Sequence, residues 1–399
     1  MAGPSRYDEP YPAAASKKEL QVEMVDDAVA LGIKHAAINV NLSQLVQLDV
    51  GDGPGISMNG RDYHFSRDAL ESLDRRIKPL SDRGIVINLI ILIYASSPEV
   101  NRVMLHPEYD PGAPNRLGAF NTVTDEGRGW FLATMKFLAE RWSRPDQEYG
   151  RVAGYIMGNE VNTHWFWSNM GRVSMYQFAD DYLRTVRLAH GVIREISSWA
   201  RVYVSLEHHW NSRYAGGDEK QTFAARPFLE YFASRARDEG DFDWHVAFHP
   251  YPESLFEPRF WNDKTALHDR DTPRVTFKNL DVLIDFLGEE SMQYEGQRRR
   301  VILSEQGFHT PEGPDGEMIQ AAAYCYAYKI VDGLEHIDSF ILHRHVDHPR
   351  EGGLLLGLRS KGAKKKKIYD CFRLADTPEW RGAFEFSLPF VGLTSWKND

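Results

Sequence analysis

The sequence predicts an α/β protein built as a closed (β/α)8 (TIM) barrel, and three observations carry that expectation. Amphipathic stretches alternate with short runs of Val, Ile, Leu and Ala along nearly the whole chain, the pattern of parallel strands joined by crossover helices. The run "IVINLIILIY" (residues 85–94) is apolar almost throughout, as a strand buried on both faces must be. The apolar runs end in polar residues, and the longest irregular stretches, 48–62, 95–123, 207–222 and 251–274, mostly follow strands. That places them on the C-terminal face, where barrel enzymes build their sites.

Each element can be justified in order. "SKKELQVEMVDDAVALG" (16–32) reads as the first helix, with Ser16 as N-cap, Glu19 three residues on and Gly32 as a stop. The strand "IKHAAINVN" follows. Helix–strand pairs then recur, with strands at "IVINLIILIY", "RVAGYIM", "ARVYVSLEHH", "FDWHVAFHPY", "RRVILSEQGF" and "HIDSFILHRHVD". These are seven strands, one short of a closed barrel. The first strand is therefore either an irregular one within residues 5–14, "SRYDEPYPAA", or missing from this chain. An open doubly wound sheet is the alternative, but no Gly-rich phosphate loop follows the first strand as its nucleotide sites require. The expected organisation is an N-terminal segment, 1–15, and one catalytic barrel, 16–399; such barrels typically run from ~250 to 400 residues.

Composition narrows the function. Hydrophobic residues make up 42% and charged residues 26% of the 399, with a formal charge of -10, ordinary for a soluble enzyme and opposed to a nucleic-acid partner, which needs a basic surface. The one basic run, Lys364 to Lys367, reads as a solvated loop or helix start. Two cysteines, Cys325 and Cys371, make no disulfide framework and leave the compartment open. No apolar run reaches the ~18 residues of a membrane span, and the N-terminus lacks the apolar centre of a signal peptide. A soluble chain of open localisation and oligomeric state is expected, with no membrane partner and no cofactor.

The strand ends carry the chemistry. Asn39 and Asn41 end the first counted strand, Asn159 and Glu160 the third, and Glu207, His208 and His209 the fourth. His249 and Tyr251 end the fifth, Glu305 and Gln306 the sixth, and His343, Arg344 and His345 the seventh. An ionised carboxylate beside a barrel core costs several kcal/mol unless it is paired or used. Hydrolysis of a glycosidic bond needs two carboxyl groups, one protonated to serve the leaving oxygen and one ionised. Glu160 and Glu305 are the best pair, since Glu207 has two histidine neighbours with which to form a salt bridge. Along "RVILSE", Val301, Leu303 and Glu305 share one parity, which predicts that all three face the barrel interior. Trp165, Phe166 and Trp167 follow Glu160, and Trp210 and Trp261 lie in later loops; aromatic faces of this kind stack on sugar rings.

With "GNE" (158–160) ending one strand and "SEQG" (304–307) another, the chain resembles clan A of the glycoside hydrolases, (β/α)8 barrels with an Asn-Glu acid/base at strand four and a glutamate nucleophile at strand seven. If a first strand is irregular or missing, the third and sixth counted strands become four and seven. "SKKELQVEMVDDAVALGIKHAAINVN" and "LSEQGFHT" look like a little-characterised, domain-of-unknown-function branch of that clan. The resemblance implies Glu160 as acid/base, Glu305 as nucleophile, Asn159 on the sugar 2-hydroxyl, and a tyrosine of "FHPY", Tyr251 beside His249, bonded to the nucleophile. Where strand eight usually ends in a tryptophan, this chain has His343 and Arg344, and an arginine there favours an acidic or sulfated sugar. The expected carbohydrate-binding residues are thus Asn159, Asn39, Asn41, His209, Trp210, His249, Tyr251, Trp165, Trp167, His343 and Arg344.

Two other classes remain open. His208, His209, His343, His345, Asp347 and His348 are of the types that hold zinc in metal-dependent hydrolase barrels, although amidohydrolase-like barrels carry His-x-His on the first strand and here it comes on the last. A non-catalytic carbohydrate-binding barrel would keep the aromatic loops and lose one of the two acids.

Overall fold

The computed structural model describes residues 6–49 and 51–396. Eight parallel strands close into a barrel: β1 (Lys18–Gln21), β2 (His35–Asn41), β3 (Val86–Leu92), β4 (Gly154–Met157), β5 (Arg201–Glu207), β6 (Trp244–His249), β7 (Val301–Leu303) and β8 (Ile337–Leu342). Closure is made by β1, whose Glu19 pairs with His35 of β2 on one side and Ile341 of β8 on the other. Each strand is followed by a helix: α1 (Val25–Ala30), α2 (Arg67–Ser81), α3 (Asp125–Trp142), α4 (Met175–Ile196), α5 (Ala225–Asp238), α6 (Leu280–Leu287), α7 (Gly316–Asp332) and α8 (Lys367–Leu374). Their starts are written in the sequence: Ser66, Thr124 and Ser174 cap α2, α3 and α4, the last through a full capping box with Gln177.

The first strand lies inside the stretch expected to be helical. Residues 18–21, "KELQ", are barrel strand, and helix begins only at Val25. The polarity of this strand hid it. Lys18 points outward to an ion pair with Asp376, Glu19 points into the barrel, where Asn88 Nδ2 lies 3.5 Å from its Oε1, and Ser16 donates to Asp376 instead of capping a helix. Residues 6–14 form no strand. The Tyr7 N–H donates to Ile196 O, and the Arg201 guanidinium lies 3.7 Å from the Tyr11 ring centre, so the segment runs along the barrel floor; Ser5 lies outside the described residues. The 48–62 stretch also contains regular structure, an antiparallel sheet of residues 46–47, 55–58 and 61–65.

Two cores result. The larger fills the layer between strands and helices, and the smaller lies within the barrel, where Ala37, Ile90, Leu92, Ile156, Tyr203, Ala247, Ile302 and Ile341 meet. Ile302 therefore faces inward, while Val301 and Leu303 pack towards the helices, opposite to the parity expected. The strand ends at Leu303, so Ser304 and Glu305 are free of its pleat, and Glu305 reaches the mouth from the loop. Lys366, read as solvated, is buried in an ion pair with Asp347, 3.0 Å away. Among the described residues no helix is long and apolar enough to cross a membrane.

Candidate active site

The C-terminal ends of β4 to β8 enclose a cleft of about 560 Å³ whose wall includes Glu160, Glu207, Glu305 and Glu351. Glu160 follows β4 through Gly158 at φ +77° and itself has φ +39°, a region that costs a non-glycine residue energy and recurs at functional sites. The backbone is held there by two hydroxyls: the Glu160 N–H donates to Ser205 Oγ (3.0 Å), and Thr163 Oγ1 donates to the Glu160 carbonyl (3.0 Å). A tight left-handed exit from a buried strand thus aims this side chain across the mouth.

Glu160, His249 and Glu305 each bring one oxygen or nitrogen within 4.8 Å of the others. His249 Nδ1 lies 3.0 Å from Glu160 Oε1, and the Tyr251 hydroxyl donates to Glu305 Oε1 at 3.2 Å. These surroundings push the two acids in opposite directions. Burial, aided by the charge of Glu305, raises Glu160 above the usual carboxylate range, although His249 opposes it. Burial would raise Glu305 as well, but the charges of His343, His249 and Arg344 outweigh it and hold this group below that range.

The remaining expected residues separate into those at the cleft and those put to structural use. His209 lies on the cleft wall, with Nδ1 2.6 Å from Glu207 Oε2 and Nε2 accepting from Arg274 at 3.2 Å. Trp167 lines the cleft, joined by Phe166; Trp165 is not on its wall. Asn159, adjoining Glu160, is half-buried. Asn39 accepts from Gln21 Nε2, and Gln21 Oε1 meets His343 Nδ1, which makes a hydrogen-bonded chain along the β1, β2 and β8 tips.

Several expectations are corrected. Asn41 caps the short helix at Leu42–Leu45 by accepting from the Ser43 N–H. Trp210 is fully buried behind the sheet against Phe248 and Phe286, since its loop turns outward to pair with Pro273. Arg344 forms a 2.7 Å ion pair with Glu351, which compensates the charge expected to meet an acidic sugar. The histidine–aspartate set read as zinc ligands is dispersed: His345 pairs with Asp27 of α1, Asp347 with Lys366, and His343 with Gln21 and Glu351. Among the described residues, the donor sets that do gather are Glu207–His208–His209 and Glu160–His249–Glu305. In the first, Arg274 already occupies His209 Nε2 and sets a positive charge beside it.

Sequence reasoning missed Glu351, Arg274, Glu253 and Tyr214 on the cleft wall, and Asn162, which hydrogen-bonds Glu207 through both side-chain amide atoms. All but Asn162 sit in long loops, and no periodicity marks them. Asn162, two residues beyond Glu160, could have been found as one more polar residue of the same strand exit.

The closed eight-stranded barrel is a fold shared with known sugar hydrolases. A family 39 glycoside hydrolase from Bacteroides cellulosilyticus WH2 superposes with a TM-score of 0.59 at 14% identity, over 91% of this chain and 63% of that one. A β-glucosidase from Pyrococcus furiosus gives 0.55 at 14%, over 92% and 86%, and a monomeric β-xylosidase from Caulobacter crescentus CB15 gives 0.52 at 13%, over 93% and 71%. At these identities the likeness is one of fold, and the chain spans less than two thirds of the family 39 enzyme. The chain itself belongs to a family of unknown function, DUF5722, matched over residues 10–398. No curated protein matches it.

Proposed function

We propose that this chain is a retaining glycoside hydrolase of clan A type, acting on O-glycosidic bonds of an oligo- or polysaccharide. The observation that carries the reading is the Glu160–Glu305 pair, with oxygens within 4.8 Å and proton affinities shifted in opposite directions. Two carboxyl groups ~5 to 5.5 Å apart leave no room for a water between acid and base, and one of them must attack the sugar itself. Glu305, held ionised, attacks the anomeric carbon while Glu160 gives its proton to the leaving oxygen. The glycosyl-enzyme so formed removes the charge of Glu305; Glu160, now deprotonated, takes a proton from the incoming water, which displaces Glu305 and regenerates both groups. Tyr251 holds Glu305, Asn159 meets the 2-hydroxyl, and Phe166 and Trp167 offer ring faces to the sugar.

The test is a panel of aryl glycosides and polysaccharides, acidic ones included, run on the wild type and on Glu160→Ala. A general acid matters most for poor leaving groups, so this variant keeps the first step on activated aryl glycosides, loses natural ones, and recovers rate when azide enters the vacated space. Equal loss on both substrate types without azide rescue removes Glu160 from the chemistry. Absence of turnover across the panel favours a non-catalytic sugar-binding barrel.

A further inference from the structure

The wall of the cleft next to Glu160 carries hydrogen-bonding groups that the proposed chemistry does not use. Glu207 ends β5, His208 follows it, and both line the cleft with Arg274. They border the acid/base: Ser205, two residues before Glu207, accepts from the Glu160 N–H, and Asn162, two residues after Glu160, hydrogen-bonds Glu207. A general acid stands beside the oxygen it protonates, so this wall is the part of the cleft that the leaving group meets.

The partners of these groups fix where their hydrogens are. The Tyr251 carbonyl, which can only accept, lies 2.9 Å from His208 Nδ1, so a neutral His208 carries its hydrogen on Nδ1 and a bare lone pair on Nε2. Burial keeps that ring neutral, pushing its pKa down to about 4. Nε2 accepts from no donor among the described residues, and it is open to the cleft. Its neighbour Glu207 Oε2, 3.8 Å away, is a second acceptor; burial would raise Glu207, but hydrogen bonds from His209 outweigh it and hold the carboxyl ionised. Arg274 supplies donors. Its terminal nitrogens meet one acceptor each, His209 Nε2 at 3.2 Å and Thr265 Oγ1 at 2.8 Å, and each keeps a second hydrogen.

An acceptor at His208 and donors at Arg274 together select a chemistry. A hydroxyl both donates and accepts, so neighbouring hydroxyls of one sugar serve both residues. A carboxylate or sulfate has no hydrogen for His208 and would lie beside the charge of Glu207, and an ammonium would face the guanidinium of Arg274. We propose that His208 and Arg274 form a leaving-group subsite for a neutral sugar, with His208 Nε2 accepting from one hydroxyl and Arg274 donating to another. This rests on the glycosidase reading and narrows it: the bond cleaved joins the glycosyl unit to a second, uncharged sugar.

The test compares kcat/KM for the 4-nitrophenyl glycoside of the sugar found in the panel with kcat/KM for a disaccharide of the same glycosyl unit, on wild type and on His208→Asn. Asparagine keeps an N–H for the Tyr251 carbonyl and removes the acceptor at Nε2. A sugar hydroxyl left without that acceptor should lower the disaccharide-to-aryl ratio about tenfold, and His208→Gln, whose amide oxygen reaches the Nε2 position, should restore part of it. An unchanged ratio overturns the proposal while aryl turnover leaves the glycosidase reading standing; no turnover of either substrate by the wild type overturns both. A second comparison needs no variant: disaccharides whose leaving sugar is glucose, glucuronic acid or glucosamine, given to the wild type. Glucose should be preferred about tenfold or more, and equal or faster release of a charged sugar overturns the subsite.

Discussion

Glu160 is half-buried against His249 within reach of the charge on Glu305, and both its partial burial and that charge favour its protonated form. Glu305 is half-buried too, yet positive groups surround it and favour the ionised form. Under the proposed mechanism kcat/KM rises as Glu305 loses its proton, below the ordinary glutamate range, and falls as Glu160 loses its own, above that range. With Glu160→Ala and an activated aryl glycoside the alkaline fall should vanish; its persistence would assign that limb to another group. Glu305→Gln should lower turnover at least ~1000-fold with the fold intact, because the covalent step is lost outright. Tyr251→Phe removes the donor to Glu305 Oε1. A hydrogen bond to a charged group is worth ~1.5 to 3 kcal/mol, so turnover should fall about 10- to 100-fold and the acidic limb should move upward. An unmoved limb would leave Tyr251 a structural role only. All four of these residues were legible in the sequence because each lies within three residues of an apolar strand's end, where packing alone does not explain a polar group. Trp210 shows the limit of that rule: an aromatic residue after a strand serves a sugar or the core, and only the path of its loop decides which.

The elements show a related limit. Seven strands were legible because each carries a cluster of aliphatic or aromatic residues, whereas β1, with Lys18, Glu19 and Gln21 around a single leucine, does not, and its neighbours supply a convincing helix pattern. The parity of β7 was unreadable for a different reason: "VIL" is apolar at every position, so nothing in it tells the barrel side from the helix side. The placement of Glu19 has a measurable consequence. Burial raises its carboxyl to about 7, above the unfolded value, so its contribution to stability is fully present at low pH and is lost as pH rises towards 7. A shift from 4.5 to about 7 corresponds to on the order of 3 kcal/mol. Glu19→Gln, neutral at every pH, should therefore be more stable relative to wild type at pH 8 than at pH 4, as followed by denaturant unfolding. A difference independent of pH would mean that Glu19 ionises in the native barrel without penalty. β4 depends on a glycine in the same layer: a Cβ on Gly154 would fall 2.2 Å from Asn88 Oδ1, so Gly154→Ala must displace the partner of Glu19 and should cost ~1 to 3 kcal/mol by overpacking.

At the scale of the molecule, the barrel divides its labour by face. The loops after β4 to β8 bring the glutamates together at one end, while the floor is covered by residues 6–15. The alternation of helices and strands made this architecture legible, as it reflects a period the whole chain obeys. The cleft's far wall was not legible, because Arg274 and Glu351 reach it from loops whose course depends on tertiary contacts. Because the family's function is unknown and the three barrels named above share 13 to 14% identity with the chain, the mechanism rests on the geometry of the pair and has to be tested on the reaction itself. Proton NMR of the first sugar released from a substrate found in the panel, recorded before mutarotation, is the most direct measurement. Two displacements at one carbon return the original configuration, so the account predicts that the first-formed product has the anomeric configuration of the substrate. A product first seen as the opposite anomer would contradict it and require Glu305 to act on a water rather than on the sugar.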